Sequence, residues 1–394
     1  MFDFKPSNCY YIRKVQGGDL MVYKDFKGMK LSALGLGAMR LPIVDGNDAV
    51  VDEKATAEMV DYAIKNGINY FDTAWGYHSG NSELAIGKCL KNYPRDSFYL
   101  ATKFPGYDLS NMPKVVEIFN KQLEKCQVDY FDFYLIHNVC EKNIDMYLDR
   151  SFGIYEHLLK MKAEGKIKHL GFSAHGDCNV MRRFLEAYGE EMEFCQLQIN
   201  YIDWTFQKAK EKVELLNEYN IPVWVMEPVR GGKLAKLSDE NSAKLSALRP
   251  DESDVAWAFR FIQSIPEVKV TLSGMSNFEQ LKENMEIFAE DKPLNEKELK
   301  TLSDVAVEML GLVPCTACRY CTTYCPQELD IPKLIELYNE HKFTGGGFLA
   351  PMYLSSIPEE KHPSACVGCR SCEAVCPQQI KISEVFSDFV EILK

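Results

Sequence analysis

Eight short apolar runs, spaced about 30 residues apart and separated by stretches of helical character, restrict what this chain can fold into more than any other feature. They read ALGLGAMR (33–40), NYFDTA (69–74), FYLATK (98–103), FDFYLIHN (131–138), IKHLGFSA (167–174), FCQLQINY (194–201), VWVMEP (223–228) and KVTLSG (269–274). Runs of this length, rich in β-branched and aromatic residues, are strand signals. Between them, segments such as EKATAEMVDYAIKNG (53–67) have the spacing of an amphipathic helix, with Gly67 placed to cap its C-terminus. Strands that alternate with helices pair in parallel, because only a crossover returns the chain to the same end of a sheet. Eight such units predict an α/β chain built on a closed (β/α)8 TIM barrel. An open dinucleotide-binding sheet would want G-x-G-x-x-G after its first strand. GLGAMR (35–40) lacks the third glycine and runs into Leu41-Pro42 rather than a helix.

The barrel occupies residues 31–292, which leaves an N-terminal extension, 1–30, and a separate C-terminal domain, 293–394. A chain of 394 residues is long enough for this division into one large and one small core. No apolar run approaches the ~20 residues that span a bilayer, so no membrane role is expected. The N-terminus lacks the basic and apolar regions of a secretory signal, and the expected location is the cytoplasm. A net charge of −12, without clustered Lys and Arg, argues against nucleic acid as a partner.

Eight of the fourteen cysteines fall in two copies of C-x2-C-x2-C-x3-C-P, at 315–326 and 366–377. Structural zinc favours two separated pairs of ligands converging on one ion. Three cysteines at i, i+3 and i+6 instead wrap one loop around a corner of a 4Fe-4S cluster, and the fourth points away. The pattern resembles the helical two-cluster ferredoxin modules found on anaerobic oxidoreductases. That resemblance implies that Cys315, Cys318, Cys321 and Cys376 hold one 4Fe-4S cluster, while Cys366, Cys369, Cys372 and Cys325 hold the other. Leu334, Ile335 and Leu337 fall at helical intervals between the repeats, and the glycines 345–347 mark a turn. The six remaining cysteines (Cys9, Cys89, Cys126, Cys140, Cys178, Cys195) are scattered and suit apolar packing.

Chemistry in such barrels sits where strands end. The second strand delivers Asp72 and then Tyr77, the third ends in Lys103, and the fourth in His137. Phenol has a pKa near 10 and is a poor acid at neutral pH. An ammonium about 4 Å away at an effective dielectric of about 20 favours phenolate by roughly 4 kcal/mol, so Lys103 is expected to lower Tyr77 by about three pKa units. Asp72 would hold Lys103 charged, and His137 would hydrogen-bond the substrate oxygen. On these residues, and on GNSELAIGKCL, GKIKHLGFSAH and SGMSNFEQLKENMEIF, residues 31–290 resemble the aldo-keto reductases. The resemblance implies an oxidoreductase that reduces a small carbonyl, or oxidises an alcohol, with NADP(H) or NAD(H).

In that family a Ser-Asn pair, a Gln and an aromatic residue receive the nicotinamide. Ser173 and Gln196 match, whereas Ala174 replaces the Asn and Met226 the stacking ring. Gly231, Gly232 and Leu234 in RGGKL match the phosphate side, and Glu283 and Asn284 match the adenine contacts. Gln280 stands where many members carry an Arg for the 2′-phosphate, and a neutral amide does not replace guanidinium pairing. Trp75 is a candidate substrate wall, Arg40 a candidate for a ligand carboxylate or phosphate, and His78 follows Tyr77 where glycine is usual. Hydride chemistry moves two electrons and each cluster moves one, so a flavin-containing, ferredoxin-linked reductase with FMN at the phosphate loop is an alternative reading, while a substrate that forms a stabilised radical requires no flavin. Ferredoxin or flavodoxin is then the expected partner. Two other readings stand beside it: a plain NAD(P)H carbonyl reductase whose clusters are structural, and a non-catalytic electron-transfer or redox-sensing module.

Overall fold

A computed structural model describes residues 10–11, 21–310, 312–313, 315 and 317–394. Much of the expected N-terminal extension, residues 1–9 and 12–20, lies outside the described residues. The chain divides into two compact units, residues 1–305 and 306–394, with the division inside the helix Glu296–Leu310.

A three-stranded antiparallel sheet comes first: β1 (Tyr10–Tyr11), β2 (Val22–Phe26) and β3 (Met29–Ser32). The first barrel strand, β4 (Leu34–Gly37), is followed by a hairpin of β5 (Ile43–Val44) and β6 (Asn47–Val51). Seven further barrel strands are β7 (Tyr70–Asp72), β8 (Tyr99–Phe104), β9 (Phe131–Val139), β10 (Ile167–Ala174), β11 (Cys195–Gln198), β12 (Val223–Met226) and β13 (Val268–Ser273). All pair in parallel in chain order, and β13 returns to β4 through Leu272 and Gly35 to close the barrel. Gly35 permits that closure: a Cβ there would lie 2.8 Å from Leu272 Cδ2. The eight strands expected from sequence are these eight.

Alternation along each strand separates interior from exterior. In β9, Phe133 and Leu135 join the interior cluster with Tyr70, Phe194, Trp224 and Val270. Tyr134, between them, faces outward and donates to Gln122 on the helix Val115–Cys126 at 2.6 Å. Sequence reading left residues 22–32 without structure. They form a plug: Phe26 and Leu31 are buried in the interior cluster, and the Phe26 ring meets Trp224 edge-on at 5.0 Å. Two aromatic residues in so short a hairpin give a strand signal too brief to separate from an irregular leader. Helices begin on polar caps, as where Asp52 accepts from the Ala55 amide at the start of Glu53–Lys65. Among the described residues no helix is long and apolar enough to cross a membrane.

The second unit is mainly helical. Its core packs Leu334, Ile335, Leu337 and Tyr338 of the helix Ile331–Thr344 against Ile382, Phe386 and Phe389 of the helix Ile382–Ile392. Asp330 caps the first of these helices, and Gly345 ends it in the left-handed conformation at φ 68°. The Asn339 amide both accepts from the Val313 N–H (3.1 Å) and donates to the Val313 carbonyl (3.0 Å), pinning the approach to Cys315 against that helix.

Candidate functional site

The ends of β7, β8 and β9 bring Asp72, Lys103 and His137 to one rim, and a short turn after β7 supplies Tyr77. Lys103 is fully buried and spends its three N–H donors inside the site. They go to Asp72 Oδ1 at 2.6 Å, the Thr73 carbonyl at 2.8 Å and Tyr77 Oη at 3.3 Å. Burial alone would lower the Lys103 pKa, but Asp72 and Tyr77 together outweigh it and raise it. Burial also pushes the Asp72 carboxyl up, opposed by Lys103 and by the Gln196 amide. The Tyr77 ring stands edge-on to His137 at 6.3 Å, and Tyr107 closes the other side of the imidazole at 5.2 Å. Burial, aided by the charges of Lys103 and His175, holds His137 well below the usual histidine range. It is a neutral ring, and its Nδ1 is buried without a hydrogen-bond partner.

One expectation needs correction. Lys103 was to lower the phenol of Tyr77, yet the Tyr77 pKa is raised. Burial is the largest influence and exceeds the opposing ammonium, while Asp72 and Glu227 add negative charge nearby. Tyr77 is thus a protonated donor, stabilised by Lys103 only once negative charge develops on its oxygen.

A buried polar network backs this group. Glu83, fully buried, accepts from Thr102 Oγ1 (2.7 Å), Gln122 Nε2 (2.7 Å) and Lys125 Nζ (2.6 Å). Gln122 also donates to the Lys103 carbonyl at 2.9 Å. Lys125 Nζ lies 4.6 Å from the centre of the Trp75 ring, so this candidate substrate wall stacks on a structural cation. Gly76 has no room for a side chain, because a Cβ would lie 2.2 Å from Tyr107 Oη.

The candidate cofactor residues are spread along the same rim. Ser173 Oγ accepts from the Asn138 N–H at 2.8 Å. Gln196 is buried with Oε1 unpartnered, which suits a ligand amide. Met226, half-buried, ends β12. Gly231 and Gly232 adopt positive φ (64° and 93°) in an exposed turn, and Leu234 is buried beneath it. Asn284 is turned inward, donating to Ser273 Oγ at 3.0 Å; Glu283 is exposed and accepts from Ser253 Oγ at 2.9 Å. Gln280 is exposed, its Oε1 bound by the Ser276 N–H at 2.8 Å. Arg40 lies across the glycine turn, 3.8 Å from Glu227.

Sequence reading missed Glu227 and the support beneath it. Glu227 follows Met226 at φ 55°, and its carbonyl accepts from Asn200 at 3.1 Å. Asn200 and Arg230 both donate to Asp203, at 2.6 and 3.0 Å, so a buried ion pair anchors the RGG turn. Nothing local in the sequence joins residues 203 and 230.

In the second unit the cysteines gather in two hollows. One, of about 320 Å³, is lined by Cys315, Cys318, Cys321 and Cys376; the other, of about 330 Å³, by Cys325, Cys366, Cys369 and Cys372. Each therefore takes three cysteines from one repeat and the last from the other. The repeat extends further than the cysteines, through CPQELDI (325–331) and CPQQIKI (376–382), and Ile331 and Ile382 line both hollows. Among the described residues no three His, Cys, Asp or Glu side chains converge tightly enough for a single ion. A cluster does not ask for that, because each thiolate binds a different iron. The all-sulfur donor sets with apolar walls fit such a group.

A closed parallel barrel with this rim is the frame of a barrel oxidoreductase. The aldo/keto reductase family profile matches residues 33–306, and a 4Fe-4S dicluster domain matches residues 314–381. The chain belongs to the aldo/keto reductase family, with a 4Fe-4S dicluster sequence signature following the barrel. It is 26% identical over 305 residues to the uncharacterized oxidoreductase YqkF of Bacillus subtilis, covering 70% of this chain and 92% of that protein. Aldo-keto reductase AKR11C1 from Bacillus halodurans (holo form) is similar in structure, with a TM-score of 0.58 at 25% identity over 72% of this chain and 96% of that one. The fold is shared as well by an aldo-keto reductase from Klebsiella pneumoniae in complex with NADPH, with a TM-score of 0.57 at 20% identity over 73% and 96% of the two chains.

Proposed function

We propose that the protein reduces a small carbonyl compound, or oxidises the corresponding alcohol, with NAD(P)H, and exchanges electrons with a one-electron carrier such as ferredoxin or flavodoxin through two 4Fe-4S clusters. The observation that carries the first half is Tyr77, held protonated at the rim with the charged Lys103 at 3.3 Å. Bound NAD(P)H would supply the hydride to the carbonyl carbon. Tyr77 Oη gives its proton to the carbonyl oxygen, so that the C=O bond becomes CH–OH, and the phenolate recovers a proton from water. Lys103 stabilises the charge that forms on Tyr77, Asp72 holds Lys103 in place, and neutral His137 orients the carbonyl. Ser173 and Gln196 would receive the nicotinamide, Met226 its face, and the turn with Gly231, Gly232 and Leu234 the phosphates. Glu283, Asn284 and Gln280 would lie toward the adenosine.

The two four-cysteine hollows support the second half; bound clusters would supply one-electron transfer. Protein purified without oxygen is expected to contain about eight irons and eight acid-labile sulfides per chain, and to oxidise NADPH or NADH when given small aldehydes. Release of stoichiometric flavin on denaturation would overturn the nicotinamide assignment. Iron near one atom with zinc in its place would overturn the clusters.

A further inference from the structure

His78, next to Tyr77, holds a backbone conformation that favours glycine: φ 52°, ψ 45°, in the left-handed region. A bulky side chain persists there only where its surroundings over-determine it. The surroundings are explicit. The ring is buried, its Nε2 accepts from the Leu41 N–H at 3.0 Å, and its Nδ1 lies 2.9 Å from the Asp48 carbonyl. With Nε2 accepting, Nδ1 is the donor, and it faces both the Asp48 carbonyl and, at 3.1 Å, Asp48 Oδ1. Both nitrogens are thereby engaged with protein, which leaves neither free for a ligand.

Leu41 precedes the β5–β6 hairpin and Asp48 lies within β6, both in the segment that follows the first barrel strand. Two neighbouring bonds join the same loops: Asn81 donates to the Ala49 carbonyl at 2.9 Å, and Ser82 to the Ala38 carbonyl at 2.7 Å. The loop also carries Arg40, whose stem packs against the position of Gly274 after the last barrel strand. The hairpin is therefore part of the catalytic rim, and His78 is its central tie to the turn bearing the proton donor.

We infer that His78 is a positioning residue that clasps the β5–β6 hairpin to the Tyr77 turn, fixing the aim of Tyr77 Oη and the wall beside it. The inference rests on Tyr77 being the proton donor of the proposed carbonyl reduction. It is tested on the full-length, anaerobically prepared holoprotein with His78→Gly, which suits the backbone but removes the clasp, and His78→Gln, whose Oε1 can still accept from Leu41. Steady-state kinetics with a small aldehyde and hydrogen exchange of residues 39–51 are measured for each. His78→Gly is expected to lower kcat roughly tenfold, the worth of one to two hydrogen bonds, with cofactor Kd within about twofold. Exchange should quicken in residues 39–51 and not in the barrel strands, and His78→Gln should recover part of kcat.

Unchanged kcat and KM in His78→Gly overturn the inference, as does exchange in 39–51 equal to that of the parent. Faster exchange spread through the barrel also overturns it, because it would make His78 a general stability residue. If the parent protein reduces no carbonyl, the functional reading fails by itself. Quickened exchange confined to 39–51 would then still support the clasp.

Discussion

Replacing Lys103 with methionine keeps most of the side-chain volume and removes the charge 3.3 Å from Tyr77 Oη. At an effective dielectric of about 20 that charge favours a phenolate by about 5 kcal/mol, or between three and four pKa units. The ground state does not benefit, since the buried phenol is already protonated. The benefit appears as the proton leaves, so the loss falls on the transition state and on kcat rather than on KM. With proton transfer incomplete at the barrier, Lys103→Met should lower kcat/KM by about 10³-fold. Asp72 loses its partner, but burial already pushes its carboxyl up, and taking a proton leaves it neutral. That limits the folding penalty of breaking a buried pair, otherwise about 3–5 kcal/mol. The assay follows NADPH or NADH oxidation with a small aldehyde under argon, with circular dichroism and cofactor titration as controls. A folded, cofactor-binding Lys103→Met protein retaining more than about a tenth of the parent kcat/KM would refute the reasoning.

Four further outcomes are expected. Glu83→Gln keeps one acceptor oxygen for Thr102 and Gln122 but sets an amide against the buried Lys125 ammonium in place of a carboxylate, and should destabilise the chain by roughly 3 kcal/mol, as for a broken buried pair, read by chemical denaturation; a change below about 1 kcal/mol counts against the network. Because burial holds His137 well below its usual range, the pH profile of kcat/KM should show no histidine limb between about pH 6 and 8. By linkage its contribution to stability is complete above the unfolded value near 6.5 and is lost only as pH falls through the lower folded value. Lys103 and Tyr77 are both raised, so their contributions hold below about pH 10 and are lost as pH rises through the folded values; alkaline unfolding steeper in the parent than in Lys103→Met checks this. Cys376→Ser should disturb the paramagnetic signal of the cluster proposed for the Cys315 hollow and spare the one proposed beside Cys369, although Cys376 belongs to the Cys369 repeat.

The parts of this molecule legible in its sequence are those written in local period and spacing. Strands near 4–8 residues apart from helices by turn formers define the barrel without reference to distant contacts, and rim residues follow from where each run ends. Cysteine spacing is likewise local, whereas the exchange of Cys325 and Cys376 between the two hollows was implied only by the resemblance to two-cluster ferredoxin modules. What stayed hidden depends on pairs distant in sequence. Asp203 finds Arg230, Glu83 finds Lys125, and Arg40 reaches Glu227 only because the barrel closes and brings their loops together. The sign of the Tyr77 shift was hidden for the same reason. A charge pair can be guessed from neighbouring strand ends, but the cost of burial depends on every side chain around the phenol, and here it outweighs the pair. That balance suits the proposed carbonyl reduction. A donor that stays protonated at rest, next to an ammonium already charged and held by Asp72, need reorganise nothing when the carbonyl takes its proton.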